Sequence, residues 1–336
     1  MEPTATLRGG NLGQVLEKSL CVIDRSVYIL IGIVCNATQV TDMPSSNGDQ
    51  HQRLTLNAAD GYPLGATLFA ASQPVGQILV GSATGVPRGF YRRFAEYATA
   101  RGYTTLTLDY RGVGESRPAT LKGFEMDYLD WARLDLAAAL DHLHQPELPT
   151  FMVGHSFGGH AFGLMPNHQH VSGLYTFGTG AGWHGWMPVA ERLKVLTMWR
   201  VVAPLLTRSK GYLAWSKLGM GEDLPLGVYR QWKRWCRYPR YFFEDPAMPG
   251  LEEQFAQITT PIIALNATDD LWASPASRDA FMSAYRQADY QGLTLIPAEA
   301  GLPPIGHMGY FRPSAQPLWQ DALNWFDQLR QSRQAA

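Results

Sequence analysis

Nine residues, Phe151-Met152-Val153-Gly154-His155-Ser156-Phe157-Gly158-Gly159, restrict the fold of this chain more than any other stretch. The apolar residues Phe151, Met152 and Val153 read as a buried strand. Gly154-His155-Ser156-Phe157-Gly158 follows at once, a G-x-S-x-G pattern that places a serine on a tight turn from strand to helix. Strand and helix then approach closely, so the residues two before and two after the serine must lack bulk. A helix starting there aims its first amides at the serine, where negative charge can be stabilised. Ordinary glycine-rich turns produce the same pattern by chance, so the rest of the chain decides its meaning.

The flanking sequence repeats one theme. Residues 53–57 and 64–70 alternate around Ala59-Asp60-Gly61, which predicts two antiparallel strands and a turn. Short apolar or β-branched strands follow at 77–80, 104–108, 151–153, 171–177, 262–265 and 293–296. Helical spacing marks 90–100, 128–143, 275–285 and 317–329. This alternation predicts an α/β fold with a mostly parallel sheet covered on both faces. Its functional groups belong at the carboxyl ends of the strands.

Residues 178–260 depart from the theme. The stretch is far longer than one crossover helix requires, and it holds six of the ten tryptophans: Trp183, Trp186, Trp199, Trp215, Trp232 and Trp235. Long segments of this kind are usually functional. They predict a helical cap inserted after the sixth strand, between core portions 51–177 and 261–336. For any single tryptophan, a place in the core of a larger domain is the competing reading.

Residues 1–50 stand apart as an N-terminal extension. The apolar run from Val27 to Cys35 is nine residues long, whereas a membrane span needs ~20, so no stable span is expected. Asp24 and Arg25 adjoin the run. An atypical signal or anchor, a surface-packed extension and a chain whose natural start is Met43 are the three readings, with a poorly ordered or peripheral extension favoured.

Composition excludes several classes of function. A formal net charge of −1 across 336 residues gives no basic field for nucleic acid. Cys21, Cys35 and Cys236 are odd in number and form no C-x-x-C pair. They indicate neither a disulfide framework nor a zinc site, and fit a reducing, cytoplasmic setting. No metal or cofactor is expected.

A serine hydroxyl becomes a useful nucleophile when a base takes its proton, and the base needs an orienting carboxylate. On this architecture the chain order is nucleophile, acid, histidine. Just past the strand at 262–265 lies Asn266-Ala267-Thr268-Asp269-Asp270. Past the next strand lies Gly306-His307-Met308-Gly309. An Asp-Asp pair is commonly a solvated turn and a loop histidine is commonly structural, but both occur here in the required order.

From about residue 53 to 330 the chain resembles the α/β-hydrolases, and within them the serine hydrolases of the monoacylglycerol-lipase and serine-aminopeptidase-like group. Asp109-Tyr110-Arg111-Gly112-Val113-Gly114-Glu115-Ser116 is similar to that group's D-x-R-G-x-G-x-S loop. Gly154 to Gly159 resembles its elbow, and Gly306-His307 its histidine loop. The resemblance implies that Ser156 is the nucleophile and His307 the general base. Aligning Pro261 with the family's strand start makes Asp270 the acid and leaves Asp269 as competitor, because Ala267 replaces the usual glycine. The resemblance also implies two oxyanion donors. One is the backbone N–H of Phe157. The other lies where relatives carry H-G-x and this chain has Gly81-Ser82-Ala83, so Ala83 falls at the donor position and a one-residue shift would select Thr84.

The expected activity is cofactor-free hydrolysis of an ester or related acyl bond in a small, apolar substrate. Acyl transfer to another acceptor and ligand binding without catalysis are the alternatives. His155, His160, His184, Asp109, Arg111, Trp232, Trp235 and Cys236 are expected to be structural.

Overall fold

The computed structural model describes residues 51–219 and 221–335. The readings for residues 1–50 lie outside the described residues. Strands β1 (His51–Asn57) and β2 (Pro63–Phe69) form an antiparallel hairpin in which Leu56 faces Leu64. Gly61 closes its turn at φ +81, where a side chain would be strained. β3 (Gly76–Gly81), β4 (Tyr103–Leu108), β5 (Thr150–His155), β6 (Val171–Phe177), β7 (Ile262–Ala267) and β8 (Tyr290–Leu295) complete the sheet. The strand order is β1-β2-β4-β3-β5-β6-β7-β8. β2 pairs antiparallel with β4, and every later pairing is parallel.

Pleating sorts the strand residues onto two cores. Ile78, Val80, Phe151, Val153, Ile263 and Leu265 face one side, packing on helices α1 (Arg92–Ala100) and α9 (Gln316–Ala335) through Phe94, Ala98, Trp319, Ala322 and Phe326. Leu79, Leu106, Met152, Leu174 and Ala264 face the other. There they meet Leu140 of α2 (Ala137–Leu143), Phe157 and Ala161 of α3 (Phe157–Ala161) and Phe281 of α8 (Pro275–Met282). Because both faces are covered, the central strands are continuous apolar runs, as the sequence predicts for a doubly covered sheet.

Between β6 and β7 lie α4 (Val189–Thr197), α5 (Ala203–Lys210), α6 (Leu226–Trp235) and α7 (Leu251–Ala256). Val195, Met198, Trp199 and Ala203 point inward, while Val189, Leu193, Val201 and Leu205 are exposed. None of the described helices is long and apolar enough to cross a membrane.

The closing helix runs on to Ala335 and the helix from Pro275 stops at Met282, and two further elements differ from the sequence reading. β8 starts at Tyr290 because backbone pairing with β7 recruits Tyr290, Gln291 and Gly292, which carry no strand pattern. The helix expected from 128 begins at Trp131 with a π-helical turn, since the Asp127 carboxylate accepts the Leu129 N–H at 2.8 Å and holds a turn there.

Asp109 and Arg111 tie down the loop after β4. Asp109 pairs with the buried Arg88 guanidinium and accepts the Glu115 N–H at 2.9 Å. Arg111 bonds Asp60 at 2.6 Å and Asp135 at 2.7 Å. Burial pushes the Asp135 carboxyl up to about 6, against the opposing pull of Arg111.

A close backbone approach joins α3 to β3. A Cβ on Gly158 would lie 2.0 Å from the Gly81 carbonyl oxygen, so Gly158→Ala should cost about 3 kcal/mol through overpacking. Gly123→Ala, at φ +77 with open space around it, should cost about 1 kcal/mol of backbone strain. Urea unfolding midpoints of the two variants check the difference, and equal losses would contradict the packing argument.

Candidate active site

Ser156 stands between β5 and α3 with φ +51 and ψ −110, and is one of two non-glycine residues at positive φ among those described. Backbone bonds hold this strained conformation. The Ser156 N–H donates to the Phe177 carbonyl at 3.0 Å, and its own carbonyl accepts the Gly159 N–H at 3.0 Å. The Thr179 hydroxyl donates to the same carbonyl at 3.0 Å. Cβ atoms on Gly154 or Gly159 would sit within 2.7 Å of neighbouring heavy atoms, which is the steric reason for the glycines around the serine.

The residues singled out in sequence meet at the carboxyl ends of the strands. His307 Nε2 lies 3.0 Å from Ser156 Oγ, and His307 Nδ1 lies 2.9 Å from Asp270 Oδ2. A carboxylate can only accept, so the proton sits on Nδ1 and the Nε2 lone pair faces the serine hydroxyl. Asp270 is fully buried, and burial alone would raise its pKa. The adjacent His307, with the backbone N–H groups of Ala273 and Trp272, holds its carboxyl below the ordinary 3.8. Burial likewise opposes charge on His307, but Asp270 outweighs it and raises the imidazole above its ordinary 6.5.

The two neighbouring aspartates are separated by geometry. Asp269 accepts the N–H groups of Ile305 at 2.8 Å and Gly306 at 3.1 Å, so it anchors the histidine loop. Asp270 alone of the pair meets His307. Tyr310, unmarked by any sequence pattern, donates its hydroxyl to Asp270 Oδ2 at 3.1 Å and accepts the Ala267 N–H at 2.9 Å. Trp272 is a second residue the sequence did not reveal; its ring centre lies 6.4 Å from that of His307 and 6.1 Å from that of Trp232.

Ala83 requires a correction. Its N–H donates at 2.8 Å to the hydroxyl of Tyr91, a fully buried residue, and is therefore committed inward. Among the described residues nothing accepts the Thr84 N–H. The Phe157 N–H, at the first position of α3, has no intrahelical acceptor. β3 and β5 end in register, Gly81 opposite Gly154, which sets the loop carrying Thr84 beside the turn carrying Phe157. Thr84 is the position that the one-residue shift left open in sequence selects.

His155 and His160 are buried beneath the site. His155 Nε2–H donates to the His307 carbonyl at 2.9 Å, and Nδ1 accepts the Tyr91 hydroxyl at 2.9 Å. Burial drops the pKa of both histidines to about 3, so neither carries charge. Cys236 is buried, and burial raises its thiol pKa far above the usual value. Among the described residues no group of three or more His, Cys, Asp or Glu is placed to hold a metal ion.

No match to a curated protein was found. Among solved structures, the chain is similar to a soluble variant of monoglyceride lipase from Saccharomyces cerevisiae, with TM-score 0.60 and 18% identity over 85% of this chain and 99% of that one. It is also similar to an esterase from Exiguobacterium antarcticum, with TM-score 0.55 and 15% identity over 82% and 99% of the two chains. At such identities the likeness is one of fold. The sequence pattern of the alpha/beta hydrolase family matches residues 77–316. With the sheet order, the elbow and this match across more than two-thirds of its length, the chain belongs to the alpha/beta hydrolase family.

Proposed function

We propose that this protein is a serine hydrolase that cleaves a carboxylic ester, or a related acyl bond, of a small apolar substrate through an acyl-enzyme on Ser156. The observation that carries the reading is the continuous chain from Ser156 Oγ to His307 to Asp270, at 3.0 and 2.9 Å, on a strained elbow. In this reading Ser156 Oγ attacks the carbonyl carbon while His307 Nε2 takes its proton. The amides of Phe157 and Thr84 hold the oxyanion of the tetrahedral intermediate. The imidazolium then protonates the departing alcohol. Water, deprotonated by the same nitrogen, releases the acid and frees the serine.

Residues 178–260 act in this reading as a cap over the site. Trp272 beside His307, followed by Trp232, Trp199 and Trp215 at ring distances of 6.1, 5.1 and 5.3 Å, supports an apolar acyl or alcohol group. The structural neighbours named as a lipase and an esterase are in keeping with ester chemistry.

Ser156→Ala should lower turnover of short p-nitrophenyl esters by about 10⁶-fold and abolish labelling by a fluorophosphonate probe. Retained labelling would sink the assignment of the nucleophile. A second test follows from the electrostatics. His307 acts as base only when neutral, and Asp270 raises its pKa, so the acid limb of kcat/KM should have its midpoint above 6.5. Asp270→Asn removes the charge that raises it. That limb should move to lower pH and kcat fall by about 10⁴-fold. A pH profile identical in the variant would count against Asp270 as the partner of His307.

A further inference from the structure

We propose that Tyr91, Tyr110 and Tyr128 form a cradle of buried hydroxyls that fixes the loop after β3, so that the Thr84 N–H is held ready for the oxyanion. The inference rests on the serine-hydrolase reading and adds three positioning residues to it. Three successive loop residues each meet a different phenol. The Tyr110 hydroxyl donates to the Ser82 carbonyl at 3.1 Å, the Ala83 N–H donates to the Tyr91 hydroxyl at 2.8 Å, and Thr84 Oγ1 bonds the Tyr128 hydroxyl at 2.5 Å. All three rings are essentially inaccessible to solvent.

The loop has little else to hold it. Among the described residues, the backbone bond within 82–86 runs from the Val86 N–H to the Ala83 carbonyl at 3.1 Å, and Gly85 beyond it is at φ +70. A donor for a developing charge is effective in proportion to how little it must reorganise, so a loop of this kind needs external fixing.

The same rings also hold the other donor and the base. Tyr128 is stacked on Phe157, with ring centres 4.4 Å apart and planes 15° apart, and on Trp235 at 5.1 Å and 12°. Tyr110 meets the edge of Phe157 at 5.8 Å and stacks on Trp131 at 4.7 Å. Tyr91 reaches His155, whose other nitrogen bonds the His307 carbonyl. Both proposed donors are therefore referenced to one packed aromatic block. Trp235 lies on α6, and Gln231 of the same helix accepts the Tyr128 N–H at 2.5 Å, so the inserted segment braces the cradle from outside. Burial raises all three phenols well above their ordinary pKa, which keeps each hydroxyl protonated across the working range of the enzyme.

Two conservative variants test the idea. Tyr128→Phe keeps the stack and removes the hydroxyl from Thr84, and Tyr110→Phe removes the donor to Ser82. Each should lower kcat by about 10-fold with KM unchanged, below the 10²–10³-fold cost of losing an oxyanion donor outright. Each should weaken a trifluoromethyl ketone inhibitor, which forms an oxyanion adduct on the serine, by the same factor. Thr84→Val should match Tyr128→Phe, and the double variant should be no worse than either single, because both remove one interaction. Variants that lower the thermal midpoint while leaving kcat and inhibitor affinity intact would overturn the cradle, as would additive losses in the double variant. Ser156→Ala measured alongside separates the two claims. If it abolishes turnover while the tyrosine variants behave as wild type, the cradle alone fails; if it retains turnover, the serine-hydrolase reading itself fails.

Discussion

Backbone packed on backbone, where α3 meets β3 and β5, is the contact on which the rest of the site depends. Gly81, Gly154, Gly158 and Gly159 converge there, and a Cβ on any of them would intrude within 3 Å of a neighbouring heavy atom. With no side chains between them, helix and strands approach closely enough to force Ser156 into a positive φ. The turn that results sets the serine at the carboxyl end of the central strand β5 and leaves the Phe157 amide without an intrahelical acceptor. A strained residue of this kind persists only where its surroundings overdetermine it, and four hydrogen bonds to the Ser156 backbone do so here.

Electrostatic organisation builds outward from that turn in two shells with different work. Asp270 and His307 shift each other in opposite directions, each favouring the other's charged form against the penalty of burial, which lowers the cost of an imidazolium at this position. Asp269 has a different task. It holds the backbone of the histidine loop, so two adjacent carboxylates divide into a partner for the ring and an anchor for its loop. The loop after β4 uses the same economy of means. Asp109 with Arg88, and Arg111 with Asp135, are buried pairs whose half-removal would leave a buried charge uncompensated, a loss of about 3–5 kcal/mol.

Aromatic side chains supply the remaining rigidity. The stack of Phe157, Tyr128 and Trp235 runs from the elbow into α6, and Trp272 with Trp232 runs from the Asp270 loop after β7 into the inserted helices. The inserted segment is thus packed against the loops of the candidate site at two separate places. Tryptophans there divide accordingly: Trp235 is buried as packing, while Trp232 is half-buried beside Trp272.

The amino-acid order by itself determined the alternation of strands and helices, the antiparallel first hairpin, the glycine-framed serine and the sequence of serine, acid and histidine. These are legible because they rest on local rules: side-chain periodicity, the freedom of glycine and the reach of a turn. It made Asp270 the expected acid with Asp269 as competitor, and it put the expected second oxyanion donor at Ala83 with Thr84 one residue away. Only the tertiary structure tells these groups apart by their partners, because those partners are remote in the chain. Asp269 is claimed by Ile305 and Gly306, Asp270 by His307, and the Ala83 amide by Tyr91. Tyr91, Tyr110, Tyr128, Trp272 and Tyr310 carry no local mark either, since a buried aromatic looks the same in sequence whether it fills a core or grips a catalytic loop. Local pattern selects the elements and the reactive groups. Which backbone donor is free and which carboxylate faces the imidazole depend on contacts that exist only after strands distant in sequence have paired.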